Sequence, residues 1–188
     1  MYKIAIVTTL LIALPLAAQE APRYEVDPTW PKPLPEGWTH GRVGGVCVDS
    51  HDHIAIVDRR DITEEEQEYA VPTPPIVMFD STGELVAAWG DPDVIPINLH
   101  GCSFDTDDNI WIPGNGDGMI QKYSHDGELL MQIGTRGVLD TSDGTMSGES
   151  LNAGRDSFFR PSQAVAHPDT GDIYVSDGYG NRRVAVFD

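Results

Sequence analysis

Cationic side chains are scarce in this chain: 12 Lys and Arg stand against 30 Asp and Glu, a formal net charge of −18 with His neutral. Polyphosphates and anionic lipid surfaces attract proteins through Lys and Arg, so neither nucleic acid nor a charged membrane fits as the main partner. Cysteine is nearly absent. Cys47 and Cys102 permit at most one disulfide, so no disulfide framework holds the fold, and the sequence leaves open whether the two pair. No 3.6-residue apolar stripe of useful length appears, and HExxH, GxSxG and CxxC do not occur. What abounds is turn chemistry, with 19 Gly and 14 Pro among 188 residues, more than a helical bundle tolerates. Hydrophobic residues at 40% and charged residues at 22% give globular composition, and together these features point to an acidic, turn-rich, all-β domain.

The first 18 residues stand apart. Lys3 precedes an apolar run from Ile4 to Leu16, followed by the small residues Ala17 and Ala18, the layout of a secretory signal peptide cleaved after Ala18. The run is short of the roughly 18–20 residues that cross a bilayer, and Pro15 interrupts its end. Export would place the mature chain in a periplasm, on a cell surface or outside the cell, with no membrane span left. Residues 19–40, rich in proline and without apolar periodicity, read as an extended lead-in. Residues 41–188 read as the domain proper.

Within that domain a pattern recurs. GVCVDSHDHIAIVD, GCSFDTDDNIWIP and AVAHPDTGDIYVSD each show an alternating strand, a polar turn and a second strand rich in β-formers. A second unit alternates with it in IVMFDSTGELVAAWG and IQKYSHDGELLMQIG, where Phe79 aligns with Tyr123, Gly83 with Gly127, Leu85 with Leu129 and Gly90 with Gly134. Paired hairpins repeated at this interval make four-stranded antiparallel blades, and blades stacked radially make a β-propeller. About three blades are present. The last one stops at VAVFD, where Phe187 takes the place of Phe79 and Tyr123, so an outer strand is expected to be missing. The chain is therefore expected to be the N-terminal part of a longer protein, or a truncated gene product.

Several residues carry candidate chemistry. His100, just before the inner strand of the second blade, could aim an imidazole at the axial channel, but a zinc site needs three or four ligands. Arg59 and Arg60 follow the strand IAIVD; an arginine there can bind a carboxylate bidentately or form a surface ion pair with Glu64 to Glu66. Tyr179 lies in a glycine-flanked turn, placed to act as a base or to pack on the next blade. His51 and His53 flank a hairpin turn and are expected to be exposed, and His125 and His167 also occupy turns. FDTDDN resembles the opening of a calcium loop but lacks the glycine at position six and the glutamate at twelve, so Asp105, Asp107 and Asp108 read as turn formers. GNGDG at 114–118 opens no helix and is no dinucleotide fingerprint. DITEEEQEYA at 61–70 reads as an acidic loop or a short helix.

GVCVDSHDHIAIVDRRD, HGCSFDTDDNIWI and FFRPSQAVAHPDTGDIYVSDGYGNRRVAVFD together resemble NHL-repeat propellers, and within them the six-bladed peptidyl-α-hydroxyglycine α-amidating lyases. The likeness runs from about Val43 to Asp188, with VSDGYGNRR its most specific stretch. It implies a zinc enzyme with calcium in the channel that splits a peptidyl-α-hydroxyglycine into a peptide amide and glyoxylate. By motif, His100 matches a zinc histidine, Arg59 the arginine that reads the substrate carboxylate, and Tyr179 the tyrosine proposed as base. Calcium would contact backbone carbonyls near Val46 and Cys102. Asp58 and Arg60 flank Arg59 where the family has His and Gly. The positions of the family's disulfide are Phe159 and Gly180 here.

Two readings follow. One is an exported propeller with an amidating-lyase-like metal site that acts on a small peptide. The other is a non-catalytic propeller that binds a peptide, glycan or protein partner on its ring face, since fold does not fix function. Because one histidine cannot build a zinc site, these 188 residues alone are expected to be inactive and to bind zinc weakly.

Overall fold

The structure, a computed structural model, describes residues 21–188; the expected signal peptide lies outside the described residues. Among the described residues thirteen strands occur: β1 (Trp38–Thr39), β2 (Val43–Val48), β3 (Ile54–Asp58), β4 (Val71–Pro72), β5 (Ile76–Phe79), β6 (Leu85–Trp89), β7 (Ser103–Phe104), β8 (Ile110–Gly114), β9 (Met119–Tyr123), β10 (Leu129–Ile133), β11 (Gln163–Ala166), β12 (Ile173–Asp177) and β13 (Arg183–Phe187). The acidic stretch at 61–70 forms only a single 3-10 turn, Glu66–Glu68.

Three antiparallel sheets are the blades. Blade 1 is β2-β3-β5-β6, blade 2 is β7-β8-β9-β10 and blade 3 is β11-β12-β13. Register confirms the repeat at residue level: Ile54 pairs with Phe79, Ile110 with Tyr123 and Ile173 with Phe187. Phe187 thus sits where Phe79 and Tyr123 sit, and blade 3 has three strands. The three sheets do not close a ring, and the architecture is an incomplete, all-β propeller.

Strand pleat explains how the blades stack. In β8, Ile110 and Ile112 enter one core with Val57, Ile76 and Met78 of blade 1, while Trp111 between them enters a second core with Ile173 and Val175 of blade 3. Side chains alternate across a strand, so a blade covered on both sides needs a continuous apolar run, and IWIPG is buried throughout. Each such side chain contributes about 1.5–3 kcal/mol on burial. Blade 3 is covered on one side only: Ile173 and Val175 are buried, whereas Val184 and Val186 are exposed.

The lead-in lies on blade 1. Trp30 meets Phe79 edge-on with ring centroids 5.9 Å apart, the Lys32 N–H donates to the Gly83 carbonyl at 2.9 Å, and β1 pairs in parallel with β4. Cys47 and Cys102 form a disulfide that ties β2 to the segment entering β7, the innermost strands of blades 1 and 2. Among the described residues no helix is long and apolar enough to cross a membrane.

Candidate functional site

Two glycines set up the site. Gly44 and Gly45 in β2 let the segment Leu99–Gly101 pass at backbone contact; a Cβ on Gly44 would lie 2.2 Å from the Leu99 carbonyl oxygen. The Gly101 N–H donates to the Gly44 carbonyl at 3.1 Å and the His100 N–H to the Pro113 carbonyl at 3.2 Å. This close passage brings His100 beside Arg59, which leaves the end of β3. The Arg59 Nε donates to the Leu99 carbonyl at 2.9 Å, and among the described residues its two Nη groups have no hydrogen-bond acceptor.

Tyr179 reaches the same place from blade 3. The loop after β12 is fixed by Asp177, whose carboxylate accepts from the Phe159 N–H at 2.9 Å, from Asn181 Nδ2 at 2.6 Å and from Arg183 Nε at 3.0 Å. Burial pushes the Asp177 carboxyl up from its ordinary value, and those donors pull against it. The loop then projects Tyr179, 64% exposed, until its hydroxyl lies 3.2 Å from His100 Nε2, with ring centroids 5.1 Å apart. His100 Nδ1 faces the Ser162 carbonyl at 3.1 Å. A carbonyl only accepts, so Nδ1 carries the proton and Nε2 offers its lone pair to Tyr179. Arg59, His100 and Tyr179, from three different blades, therefore meet at one end of the inner strands.

As in a metal-ligating histidine, one ring nitrogen of His100 is held by a backbone carbonyl, while the other, Nε2, accepts from the Tyr179 hydroxyl, a contact that an ion at Nε2 would displace. Among the described residues His100 belongs to no group of three or more His, Cys, Asp or Glu side chains close enough to share an ion, so it stands as one ligand of the three or more that zinc requires. For calcium, the Cys102 carbonyl accepts from Gln163 Nε2 at 2.8 Å, which commits one of its lone pairs. Val46, in β2, is 62% exposed.

Two expectations need correction. Arg59 and Arg60 make no ion pair with Glu64 to Glu66; Arg60 Nε donates instead to the Thr73 carbonyl at 2.9 Å, because the chain turns at Arg60 with φ 60°. Tyr179, from blade 3, packs on the His100 ring of the neighbouring blade 2. His53 is not an exposed turn group: like His125, which does occupy a turn, it lies half-buried against the Asp49 carboxylate, each with a ring nitrogen 2.8 Å from Oδ2, while His51 remains exposed. Asp105, Asp107 and Asp108 do form the β7–β8 turn, with the Asp107 and Asn109 N–H groups donating to Asp105 Oδ1 at 3.0 Å. Asp105 Oδ2 also takes an ion pair from Lys122 at 2.8 Å. Where the lyases place their disulfide, the Phe159 ring presses on Gly180, whose added Cβ would lie 2.3 Å from it.

Radial four-stranded blades with a repeated turn-and-strand motif and residues gathered at one end of the inner strands define an NHL-like β-propeller, and this chain is a portion of one that resembles the amidating enzyme. It is 30% identical over 161 residues to human NHL repeat-containing protein 3, covering 84% of this chain and 40% of that protein. It is 25% identical over 164 residues to rat peptidylglycine alpha-amidating monooxygenase, covering 78% of this chain and 15% of that protein. The chain thus spans less than half the length of either relative. A structural-genomics protein of unknown function from Bacteroides thetaiotaomicron shares the fold with a TM-score of 0.50, at 16% identity over 79% of this chain and 33% of its own. No protein-family model matches the chain.

Proposed function

We propose that this chain forms the first blades of an exported, six-bladed NHL-type propeller that cleaves peptidyl-α-hydroxyglycine to a peptide amide and glyoxylate. The observation that carries the reading is the meeting of Arg59, His100 and Tyr179 from three blades at one end of the channel. Similarity to an amidating enzyme supports it, and a disulfide between Cys47 and Cys102 suits an oxidising compartment.

Arg59 is held through Nε and keeps both Nη groups for the substrate carboxylate, a geometry suited to planar recognition. Tyr179 accepts the proton of the substrate hydroxyl as its own phenolic proton passes to the departing nitrogen. As that O–H bond breaks, the carbon–oxygen double bond of glyoxylate forms and the C–N bond opens. The electron pair leaves on nitrogen, which takes a proton to become the amide. A zinc ion bound at His100, with further ligands from later blades, would polarise the hydroxyl. Calcium near Val46 and Cys102 would be structural.

The test is glyoxylate release from a short peptide ending in α-hydroxyglycine, by the polypeptide in which this propeller is closed. Release is expected, with Arg59→Ala raising KM and Tyr179→Phe lowering kcat about 10²-fold or more. A folded, closed propeller that releases no glyoxylate overturns the catalytic reading. Binding of the same peptide under those conditions would then establish the non-catalytic alternative.

A further inference from the structure

We propose that Asp49, His53 and His125 form a binding site for a divalent transition metal, Zn2+ among the common ions, that clasps blade 1 to blade 2 at the end of the propeller opposite Arg59, His100 and Tyr179. Asp49 and His53 stand in the turn between β2 and β3, and His125 in the turn between β9 and β10. The five residues of β3 separate that end from Arg59 by about 17 Å at the rise of an extended strand. The inference is independent of the lyase reading.

The carboxylate is prepared to present one oxygen. Asp49 Oδ1 accepts the backbone N–H groups of His51 and His53, both at 2.8 Å, which fixes the side chain. Oδ2 is left facing His53 Nδ1 and His125 Nε2, each at 2.8 Å, and the three ligand atoms lie within 4.8 Å of one another. A tetrahedral ion with ligands at roughly 2.0–2.2 Å needs them roughly 3.3 Å apart, so each contact opens by about half an ångström. Two imidazoles and one carboxylate form a borderline N/O donor set, which suits zinc and its neighbours rather than the all-oxygen preference of calcium or magnesium.

Blade 2 shows what this turn does when no ion is needed. Asp105 holds the equivalent place, with Oδ1 bound to two turn amides as in Asp49, but its Oδ2 is matched by the fixed charge of Lys122 at 2.8 Å. In blade 1 two imidazole rings replace that lysine, and one of them crosses from the neighbouring blade. Among the described residues neither His53 Nε2 nor His125 Nδ1 has a hydrogen-bond partner. His51, exposed and 3.2 Å from the Asp108 carboxylate, stands beside the cluster, its ring 6.0 Å from that of His53 and 6.5 Å from that of His125.

Zinc titration by calorimetry on this chain, with thermal melts at each ratio, tests the site. In place of the weak zinc binding expected from His100 alone, one zinc per chain is expected at this cluster, with a melting temperature that rises with zinc concentration and returns on chelation. His53→Ala and His125→Ala should each weaken binding at least about 100-fold, while His100→Ala leaves it unchanged. Should the histidine variants fail to fold, zinc-edge X-ray absorption of the wild-type complex decides, two imidazole ligands being expected. No zinc binding by the folded wild type, binding that persists in the double variant, loss on His100→Ala, or a complex with fewer than two imidazoles would each overturn the proposal.

Discussion

Removing the Cys47–Cys102 disulfide should cost this chain a large share of its stability. The bond closes a loop of 55 residues, and the loop-entropy relation gives about 4 kcal/mol at 25 °C for that length. It joins innermost strands of two blades, so no hydrogen-bonded ladder between those strands duplicates its effect. Cys102 is buried in the first core and Cys47 packs against it, so alanine at both positions changes the apolar environment little. Urea denaturation of the wild type, with and without reductant, should be compared with the Cys47→Ala/Cys102→Ala variant. With a slope of about 2 kcal/mol per molar urea, both reduction and double substitution should lower the midpoint by about 2 M. A shift below about 0.5 M by both routes would refute the reasoning, because the unfolded chain would then gain little freedom from the missing link.

Ile112→Ala should destabilise by about 2–5 kcal/mol, since the side chain is fully buried between blades 1 and 2; Val184→Ala, on the uncovered face of blade 3, should cost far less in the same melts. Gly127→Ala should lose more stability than Gly137→Ala. Both have positive φ, but the added Cβ at 127 would lie 2.8 Å from the Trp89 ring whereas at 137 nothing stands within 4 Å, leaving only the backbone penalty of about 1–2 kcal/mol. Burial raises the Asp49 carboxyl pKa, but hydrogen bonds from His53, His125 and the His51 backbone outweigh it and hold the value at about 2. A depressed acid stabilises the fold above its unfolded pKa near 3.8 and loses that contribution as pH falls toward 2. Asp49→Asn should therefore flatten the acid limb of the stability curve between about pH 4 and 2, by at most about 2 kcal/mol.

The blade plan was legible because strand alternation and turn glycines recur at fixed separation: Phe79, Tyr123 and Phe187 were aligned from sequence and hold equivalent ladder positions. Arg59, His100 and Tyr179 were each visible through a local motif. Their meeting depends on features no motif marks, namely the backbone passage of Leu99 past Gly44 and the Ser162 carbonyl that orients the imidazole. The pairing of Cys47 with Cys102 stayed open because it requires knowing that two inner strands are neighbours around the axis. Nothing in the sequence joins the turn histidines His53 and His125, because their shared partner, Asp49, lies in a turn 76 positions from His125, and separation in sequence carries no record of inter-blade contact. The one available clue was the repeat itself, in which Asp49 and Asp105 occupy the same turn position but only Asp105 has a lysine opposite.

The most direct test is a nuclear Overhauser experiment on the folded chain, read between the ring protons of His100 and Tyr179. With centroids 5.1 Å apart, a clear cross-peak is expected, together with a nitrogen spectrum showing the His100 proton on Nδ1. A folded sample in which His100 shows no cross-peak to Tyr179 would contradict the gathering of three blades at one end of the channel.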